Sequence, residues 1–310
     1  MIPARGQLVL GTATLGLHGT REEAFALLDA FVELGGSIID TAAVYSDWVP
    51  GEVRRAEGII GEWRRQRARA DIFICTKGAH PPLAEMNRSR LDAASITEDV
   101  EMSLRRLGVE RLDLFYLHRD DPACPVEFIL ETLARLVEAG KVAAVGLSNW
   151  TNERVAAARR SGIVPIASNQ VLGNILCRHM SPPADPTIVR LDRGALRDAE
   201  ATGSSLFLFS SQCGGYLSKR SASSEAGPAV YRNRRCVDAA DRLCSLSERI
   251  GIEPTTLAVG FLLAFSPSVF PIVGSRTVEQ LRRSMAARSY RPDAAQLAEL
   301  AAIAGFSEWR

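Results

Sequence analysis

The run Leu112-Asp113-Leu114-Phe115-Tyr116-Leu117-His118 is apolar for most of its length and then stops at a titratable residue. From Leu112 to Leu117 it has the length and bulk of a strand covered on both faces. Just upstream, Ser95-Ile96-Thr97-Glu98 reads as a capping box that opens a helix ending at Gly108. Before that helix lies another short apolar run, Ile72-Phe73-Ile74-Cys75-Thr76, which stops at Lys77. Downstream the order repeats: a helical pattern over about 126–139, then an apolar run from Val142 to Leu147 that stops at Ser148-Asn149.

The alternation extends to both ends of the chain. On the N-terminal side, Leu8-Val9-Leu10-Gly11 is a strand. Thr20-Arg21-Glu22-Glu23 is a capping box, with Ala24, Phe25, Leu28, Phe31 and Val32 on one helical face. Gly35-Gly36 stops that helix, and Ser37-Ile38-Ile39-Asp40 follows as a strand. On the C-terminal side, a helix from about Asn152 leads to strands at 164–168, 206–209 and 270–273. Helical patterns at 239–250, 255–265 and 278–287 flank the last of these. About eight strands alternating with helices predict an α/β chain folded as a (β/α)8, or TIM, barrel. With no linker or composition break, residues 1–310 read as one domain, its active site at the C-terminal mouth of the strands. The longest irregular stretch, 213–235, carries Gly214-Gly215 and is expected to be a functional or a mobile loop. A doubly wound open sheet would carry G-x-G-x-x-G after its first strand. Gly11-Thr12-Ala13-Thr14-Leu15-Gly16 does not match it, and neither a Walker A motif, H-E-x-x-H nor G-x-S-x-G occurs.

Bulk properties narrow the function. A chain of 310 residues, 46% hydrophobic, builds a core without disulfide staples. Its net charge of +1 argues against a nucleic-acid partner, while leaving room for a local site for one phosphate group. The six cysteines form no CxxC pair and no zinc-spaced Cys/His cluster, so they read as free thiols in a reducing compartment, with no metal. Residues 1–20 lack a signal-peptide pattern, and no apolar run is long enough to span a membrane. The expected location is therefore cytoplasmic.

In a barrel of this kind the strand ends carry the chemistry. Strand two ends in Asp40 with Tyr45 just beyond, strand three in Lys77, strand four in His118. Strands five to eight end in Ser148-Asn149, Asn169-Gln170, Ser210 and Gly274-Ser275-Arg276. Singly, each has a dull reading: a helix cap, a packed ring, a solvated ammonium, a structural imidazole. Together they suit proton transfer. A phenol titrates near about 10, and a neighbouring ammonium lowers that value. A carboxylate keeps the ammonium charged, and an imidazole at the same mouth hydrogen-bonds a reacting oxygen.

The segments Gly11-Thr12, Ile39-Asp40-Thr41-Ala42 with Tyr45, Glu57-Gly58-Ile59-Ile60-Gly61, Thr76-Lys77, Leu112 to His118, Gly140-Lys141-Val142 through Gly146-Leu147-Ser148-Asn149, Asn169-Gln170, and Pro271-Ile272-Val273-Gly274-Ser275 with Glu279-Gln280 resemble the aldo-keto reductase family over nearly the whole chain. The resemblance implies a metal-free enzyme that uses NADP(H), with NAD(H) as the alternative. It makes Asp40, Tyr45, Lys77 and His118 a catalytic tetrad with Tyr45 as proton donor. Ser148, Asn149 and Gln170 would hold the nicotinamide carboxamide. Ser210, Gln212 and the backbone through Leu217 would take the pyrophosphate, Ser275, Arg276 and Gln280 the adenosine 2′-phosphate, and Gly11, Thr12 and Gly274 would complete the cofactor site. Phe209 stands where the family often has a tyrosine under the nicotinamide, and Ser284 where it often has asparagine. Gln280 also closes a Thr277-x-x-Gln280 capping box.

Trp48, Arg119 and Trp150 are the candidate substrate contacts. Arg119-Asp120-Asp121 suggests a polar rim suited to sugars or keto-sugars. The reading is therefore an NADPH-dependent reductase of an aldehyde or ketone. The alternatives are the same site run as an alcohol or sugar dehydrogenase, or a nicotinamide redox-sensing module.

Overall fold

The computed structural model describes residues 2–3, 7–51, 55–219 and 227–309. Strand and helix alternate in the order β1 (Val9–Gly11), α1 (Arg21–Glu33), β2 (Ile38–Asp40), α2 (Arg55–Arg67), β3 (Phe73–Gly78), α3 (Ala93–Leu107), β4 (Leu114–Leu117), α4 (Val126–Glu138), β5 (Val145–Ser148), α5 (Asn152–Ser161), β6 (Ile166–Leu172), α6 (Arg193–Thr202), β7 (Ser205–Phe209), α7 (Tyr216–Lys219), α8 (Arg234–Ile250), α9 (Pro254–Phe265), β8 (Val269–Gly274), α10 (Val278–Met285) and α11 (Ala294–Ala304). Each strand pairs in parallel with the next, and β8 returns to β1, closing an eight-stranded barrel.

The strands divide their side chains by parity. Val9, Ile38, Cys75, Leu114, Tyr116, Phe207, Phe270 and Ile272 fill the barrel interior. Their immediate neighbours Leu10, Ile39, Ile74, Phe115 and Val273 point outward into the layer under α1 to α5. A second outer layer, with Leu206 and Leu208, lies under α6 to α9 and α11, while α10 packs into the first through Leu281 and Met285. Within the barrel, the Phe207 and Phe270 rings stack with centroids 4.9 Å apart, and the Tyr116 hydroxyl and Ser168 Oγ lie 2.7 Å apart. Tyr116 faces Gly146 on β5, where a Cβ would collide with its ring. A large residue thus fits only because its cross-strand partner is the smallest one.

One irregularity matters for the site. Between β5 and β6 the register slips: Val145 pairs with Ile166, but Gly146 pairs with Ser168. The extra residue, Ala167, is a bulge, and it reverses the parity of the rest of β6. Ile166 points outward, yet Ser168 and Gln170 point inward.

Several boundaries differ from expectation. Thr20 and Glu23 do form the reciprocal capping box of α1. Helix α3, in contrast, is capped by Asp92, whose carboxylate accepts the Ser95 N–H, so Ser95 lies inside the first turn. An ionised acceptor one turn earlier satisfies the free N–H groups first and brings Ile96 into the core. Val142 makes only an isolated bridge with Leu112, and β5 begins at Val145. Helix α8 starts at Arg234, ahead of the expected 239, because Asn233 caps it. The long stretch 213–235 contains α7 and a short turn of helix at Ala229–Tyr231; its centre, residues 220–226, lies outside the described residues.

The segment Glu57 to Gly61 proves to be a joint between layers. Glu57 is buried on α2, accepts a 2.7 Å bond from Thr76 Oγ1 on β3, and pairs with Arg106 on α3 at 3.1 Å. A Cβ at Gly61 would strike the Arg106 carbonyl, so glycine is what lets α2 and α3 approach. Removing the carboxylate would strand both partners. We expect Glu57→Ala to lower stability by about 3 kcal/mol in urea denaturation, whereas a loss below about 1 kcal/mol would show that water replaces the carboxylate.

Candidate active site

Parity places the polar strand ends. Two residues beyond the interior Ile38, Cys75, Tyr116 and Phe207 come Asp40, Lys77, His118 and Phe209, which therefore also turn inward at the C-terminal mouth. The same step takes Gly146 to Ser148, Ile272 to Gly274 and, past the bulge, Ser168 to Gln170. Asn169 has the opposite parity and donates to the Trp150 carbonyl behind the wall.

Lys77 organises the centre. Its side chain is 1% exposed, and Nζ donates to Asp40 Oδ2 at 2.7 Å, to the Thr41 carbonyl at 2.8 Å and to the Tyr45 hydroxyl at 2.9 Å. An ammonium has three protons, so none is left over. Asp40 Oδ1 accepts from Gln170 Nε2 at 2.8 Å, which ties β6 to the same carboxylate. Because the Tyr45 oxygen accepts from Lys77, its own proton is directed away from the ammonium. Tyr45 lines the cleft together with Asp40 and His118.

Protonation states follow. Burial alone would lower the Lys77 pKa, but Asp40 and Tyr45 together outweigh it, and the value is raised. Burial raises the Tyr45 pKa, and although Lys77 pulls it down, the net shift is upward. The ammonium thus acts in the expected direction, but burial outweighs it. His118 is held well below its ordinary value by burial, then by Lys77, His80 and Arg119. His80 is likewise lowered, chiefly by burial; its Nδ1 meets the Pro81 carbonyl at 2.7 Å, and its ring packs edge-on against His118 with centroids 4.7 Å apart. At neutral pH the site holds a charged lysine, a protonated phenol and a neutral imidazole.

From this centre a cleft of about 670 Å³ runs across the mouth toward β7 and β8. Gly11, Ser148, Asn149, Gln170, Phe209, Ser210, Gln212, Gly274, Ser275, Arg276 and Gln280 all line it. Asn149 (φ 60°) and Ser210 (φ 56°) sit in the left-handed region where their strands turn out of the barrel. Asn149 Nδ2 donates to Ser148 Oγ at 3.2 Å. Gln212 bridges two walls, donating to Ser284 Oγ at 2.8 Å and accepting the Gly274 N–H at 2.9 Å. Gln280 Oε1 accepts the Arg276 N–H at 2.9 Å, so its side chain is bound to the turn that presents Arg276. Ser275 Oγ is buried without a partner.

Some expected contacts lie elsewhere. Thr12 is buried and spends its hydroxyl on the Asp40 carbonyl at 2.9 Å. Leu217 packs its side chain in the outer core, so that only its backbone is available to the expected phosphate contact. Trp150 is fully buried, with the Arg154 guanidinium 4.8 Å from its ring centroid, and presents no face to the cleft. Asp120 is turned away, held by Arg154 at 2.8 Å and 2.9 Å, which removes one carboxylate from the predicted polar rim. Arg119 does line the cleft, and Trp48 stands 46% exposed beside Tyr45, ring centroids 6.0 Å apart. The cleft also uses Ser284, noted above for its departure from the family, and Ile188, Glu253, Thr255 and Arg283, which sequence reading did not assign to the site. Arg283 had a signal: it lies one turn beyond Gln280 on the same face of α10. The others come from loops and helix ends with no strand to count from. Among the described residues no group of acidic, histidine or cysteine side chains is arranged to hold a metal ion.

Comparison with known proteins finds the model of the Aldo/keto reductase family matching residues 7–304. The chain is 32% identical to norsolorinic acid reductase stcV of Emericella nidulans over 90% of its own length and 73% of that protein. It is 30% identical to an aryl-alcohol dehydrogenase [NADP(+)] of Phanerodontia chrysosporium, over 86% of this chain and 72% of that one. A crystal structure of a thermostable aldo-keto reductase, Tm1743, bound to the inhibitor epalrestat superposes with a TM-score of 0.72 at 24% identity, covering 97% of this chain and 95% of the other.

The two lowered histidines link stability to pH. In the unfolded chain they take up protons near about pH 6.5, while the folded rings stay neutral to lower pH. Their contribution is therefore complete above that value and is lost as pH falls below it. The urea midpoint should drop between about pH 7 and 5.5, and replacing both rings by Gln should flatten the drop. A slope unchanged by the double replacement would show that both rings titrate normally in the fold.

Proposed function

The chain belongs to the aldo/keto reductase family, and from that premise we propose that it reduces an aldehyde or ketone with NADPH, Tyr45 giving the proton to the carbonyl oxygen. As a member it is an NAD(P)-dependent oxidoreductase. The observation that carries the assignment to Tyr45 is its position at the end of the buried Asp40–Lys77 pair, protonated and facing the cleft.

The residues of the long arm fit a dinucleotide phosphate. Arg276 and Arg283 offer guanidinium groups at one end, and the unpartnered Ser275 Oγ lies beside them. The Gly214-Gly215 backbone and Ser210 suit the pyrophosphate, while Phe209, Ser148, Asn149 and Gln170 suit a nicotinamide. Held by these residues, NADPH would supply a hydride to the carbonyl carbon. The protein's own part is to orient and to protonate. His118, neutral, hydrogen-bonds the carbonyl oxygen beside Tyr45. As charge develops on that oxygen, the Tyr45 proton moves to it, and Lys77, already donating to the phenol oxygen, steadies the phenolate left behind. Asp40 and Gln170 keep the lysine in line.

The raised Tyr45 pKa favours reduction at neutral pH. Oxidation of an alcohol needs the phenolate and so grows as pH rises. A role limited to redox sensing would not require the ordered chain from Gln170 through Asp40 and Lys77 to Tyr45. For substrate, the exposed Trp48 and the loss of Asp120 from the rim favour an aromatic carbonyl compound over a sugar. The names of the relatives, a norsolorinic acid reductase and an aryl-alcohol dehydrogenase, point the same way. The cytoplasm suits the described cysteines, all of them free, and among the described residues no helix is long and apolar enough to cross a membrane.

Fluorescence titration with NADPH and NADH, followed by NADPH oxidation against aromatic aldehydes, ketones and sugars, tests the proposal; absence of binding by either cofactor would end it. Tyr45→Phe should keep NADPH binding and lose roughly 10³-fold in turnover, and near-normal turnover would remove the proton-donor role. Arg276→Ala should weaken NADPH by about 10-fold or more and NADH by less than about 3-fold, whereas equal weakening would mean that Arg276 does not read the 2′-phosphate.

A further inference from the structure

Arg119 is a cation at the substrate end of the cleft whose donors are only partly used. Its side chain is 14% exposed, and it lines the same wall as Tyr45 and His118. Nη1 donates to the His118 carbonyl at 3.0 Å and Nη2 to Asp185 Oδ2 at 3.2 Å, while Nε is buried with no partner. A guanidinium has five N–H donors, and these bonds engage two of them. Asp185 makes a single contact, so one N–H on each of Nη1 and Nη2 has no partner in a side chain that lines the cleft.

The carboxylate that holds Arg119 is itself firmly placed. Asp185 accepts from Thr187 N and Oγ1 at 2.9 Å and 2.6 Å. Burial pushes its pKa up, but the Thr187 bonds and Arg119 more than offset this, so it stays ionised. Three residues on, Ile188 enters the cleft wall. Arg119 follows β4, and Arg276 follows β8, four strands away around a ring of eight. The two cations therefore serve opposite sides of the mouth, and Arg119 is not part of the arm that suits the adenine end of the cofactor. Apolar surface lies at the same mouth: Ile188 lines the cleft, and Trp48 stands exposed beside Tyr45.

We propose that Arg119 is a specificity residue that selects aromatic carbonyl substrates bearing a carboxylate, the ring lying against Trp48 and Ile188 and the carboxylate taking the free donors of the guanidinium. A carboxylate matches the planar fork, and in a partly dry cleft a charge-assisted pair outweighs any bond that a neutral ester or hydroxyl makes there. This inference rests on the carbonyl-reductase reading above.

The test compares para-carboxybenzaldehyde with its methyl ester as substrates for NADPH oxidation. The native protein should prefer the acid by about 10-fold or more in kcat/KM, with the difference in KM. In Arg119→Gln that ratio should collapse toward about 1, and in Arg119→Lys, which keeps the charge without the fork, it should fall only in part. Benzoate binding to the NADPH complex, followed by nicotinamide fluorescence, should weaken in parallel by about 10-fold in Arg119→Gln. A native protein that treats acid and ester alike overturns the inference while leaving the reductase reading intact. So does a preference or a benzoate affinity that survives Arg119→Gln. If no carbonyl compound is reduced at all, the reductase reading fails instead, and benzoate binding still decides whether Arg119 holds a carboxylate.

Discussion

A lysine ammonium with 1% of its side chain exposed is the constraint around which the mouth of this barrel is arranged. An unpaired charge at that depth would cost several kcal/mol. It persists because three acceptors from β2 and the turn after it converge on it: Asp40, the Thr41 carbonyl and the Tyr45 hydroxyl. That convergence requires β2 and β3 to be neighbours in register, with Asp40 opposite Cys75 and Lys77 two residues further along. It also requires the chain to turn sharply after Asp40, so that Tyr45 comes back over the strand ends. The solvation demand of one cation thereby fixes the position of the reacting phenol.

The same carboxylate extends the order across the barrel. Asp40 accepts from Gln170 on β6, on the far side of the interior, so the proposed proton donor and the proposed nicotinamide contact share one acceptor. Around them the wall is built from backbone that leaves its strands in the left-handed conformation at Asn149 and Ser210. Such turns carry local strain. Here they re-aim the chain, and Asn149 and Ser210 themselves line the cleft.

Much of this was legible before the structure. The alternation of apolar runs and helical patterns stated the barrel, and several of the polar residues that end the runs, Asp40, Lys77, His118 and Ser148, meet at its mouth. Parity along a strand is a local property, and local periodicity can be read from sequence. What escaped was non-local. Asp120 looked like a rim carboxylate and is instead the partner of Arg154, which approaches from α5. Trp150 directly follows Asn149, yet it is turned into the wall. Glu253, Thr255 and Ile188 reach the cleft from loops and helix ends that no strand count could place.

The sequence by itself determined the order of elements and put Asp40, Lys77 and His118 at the ends of apolar runs, because each of these rests on periodicity within one segment. Only the tertiary structure decided which side chains face the cleft and how strongly each holds its proton. The bulge at Ala167 reverses the parity of β6 and turns Gln170 inward, and it exists only in the pairing of β6 with β5. Tyr45 keeps its proton because burial outweighs Lys77, and burial belongs to the packed barrel rather than to any segment of the chain. Desolvation and register are sums over neighbours distant in sequence, and they take values only when the ring has closed.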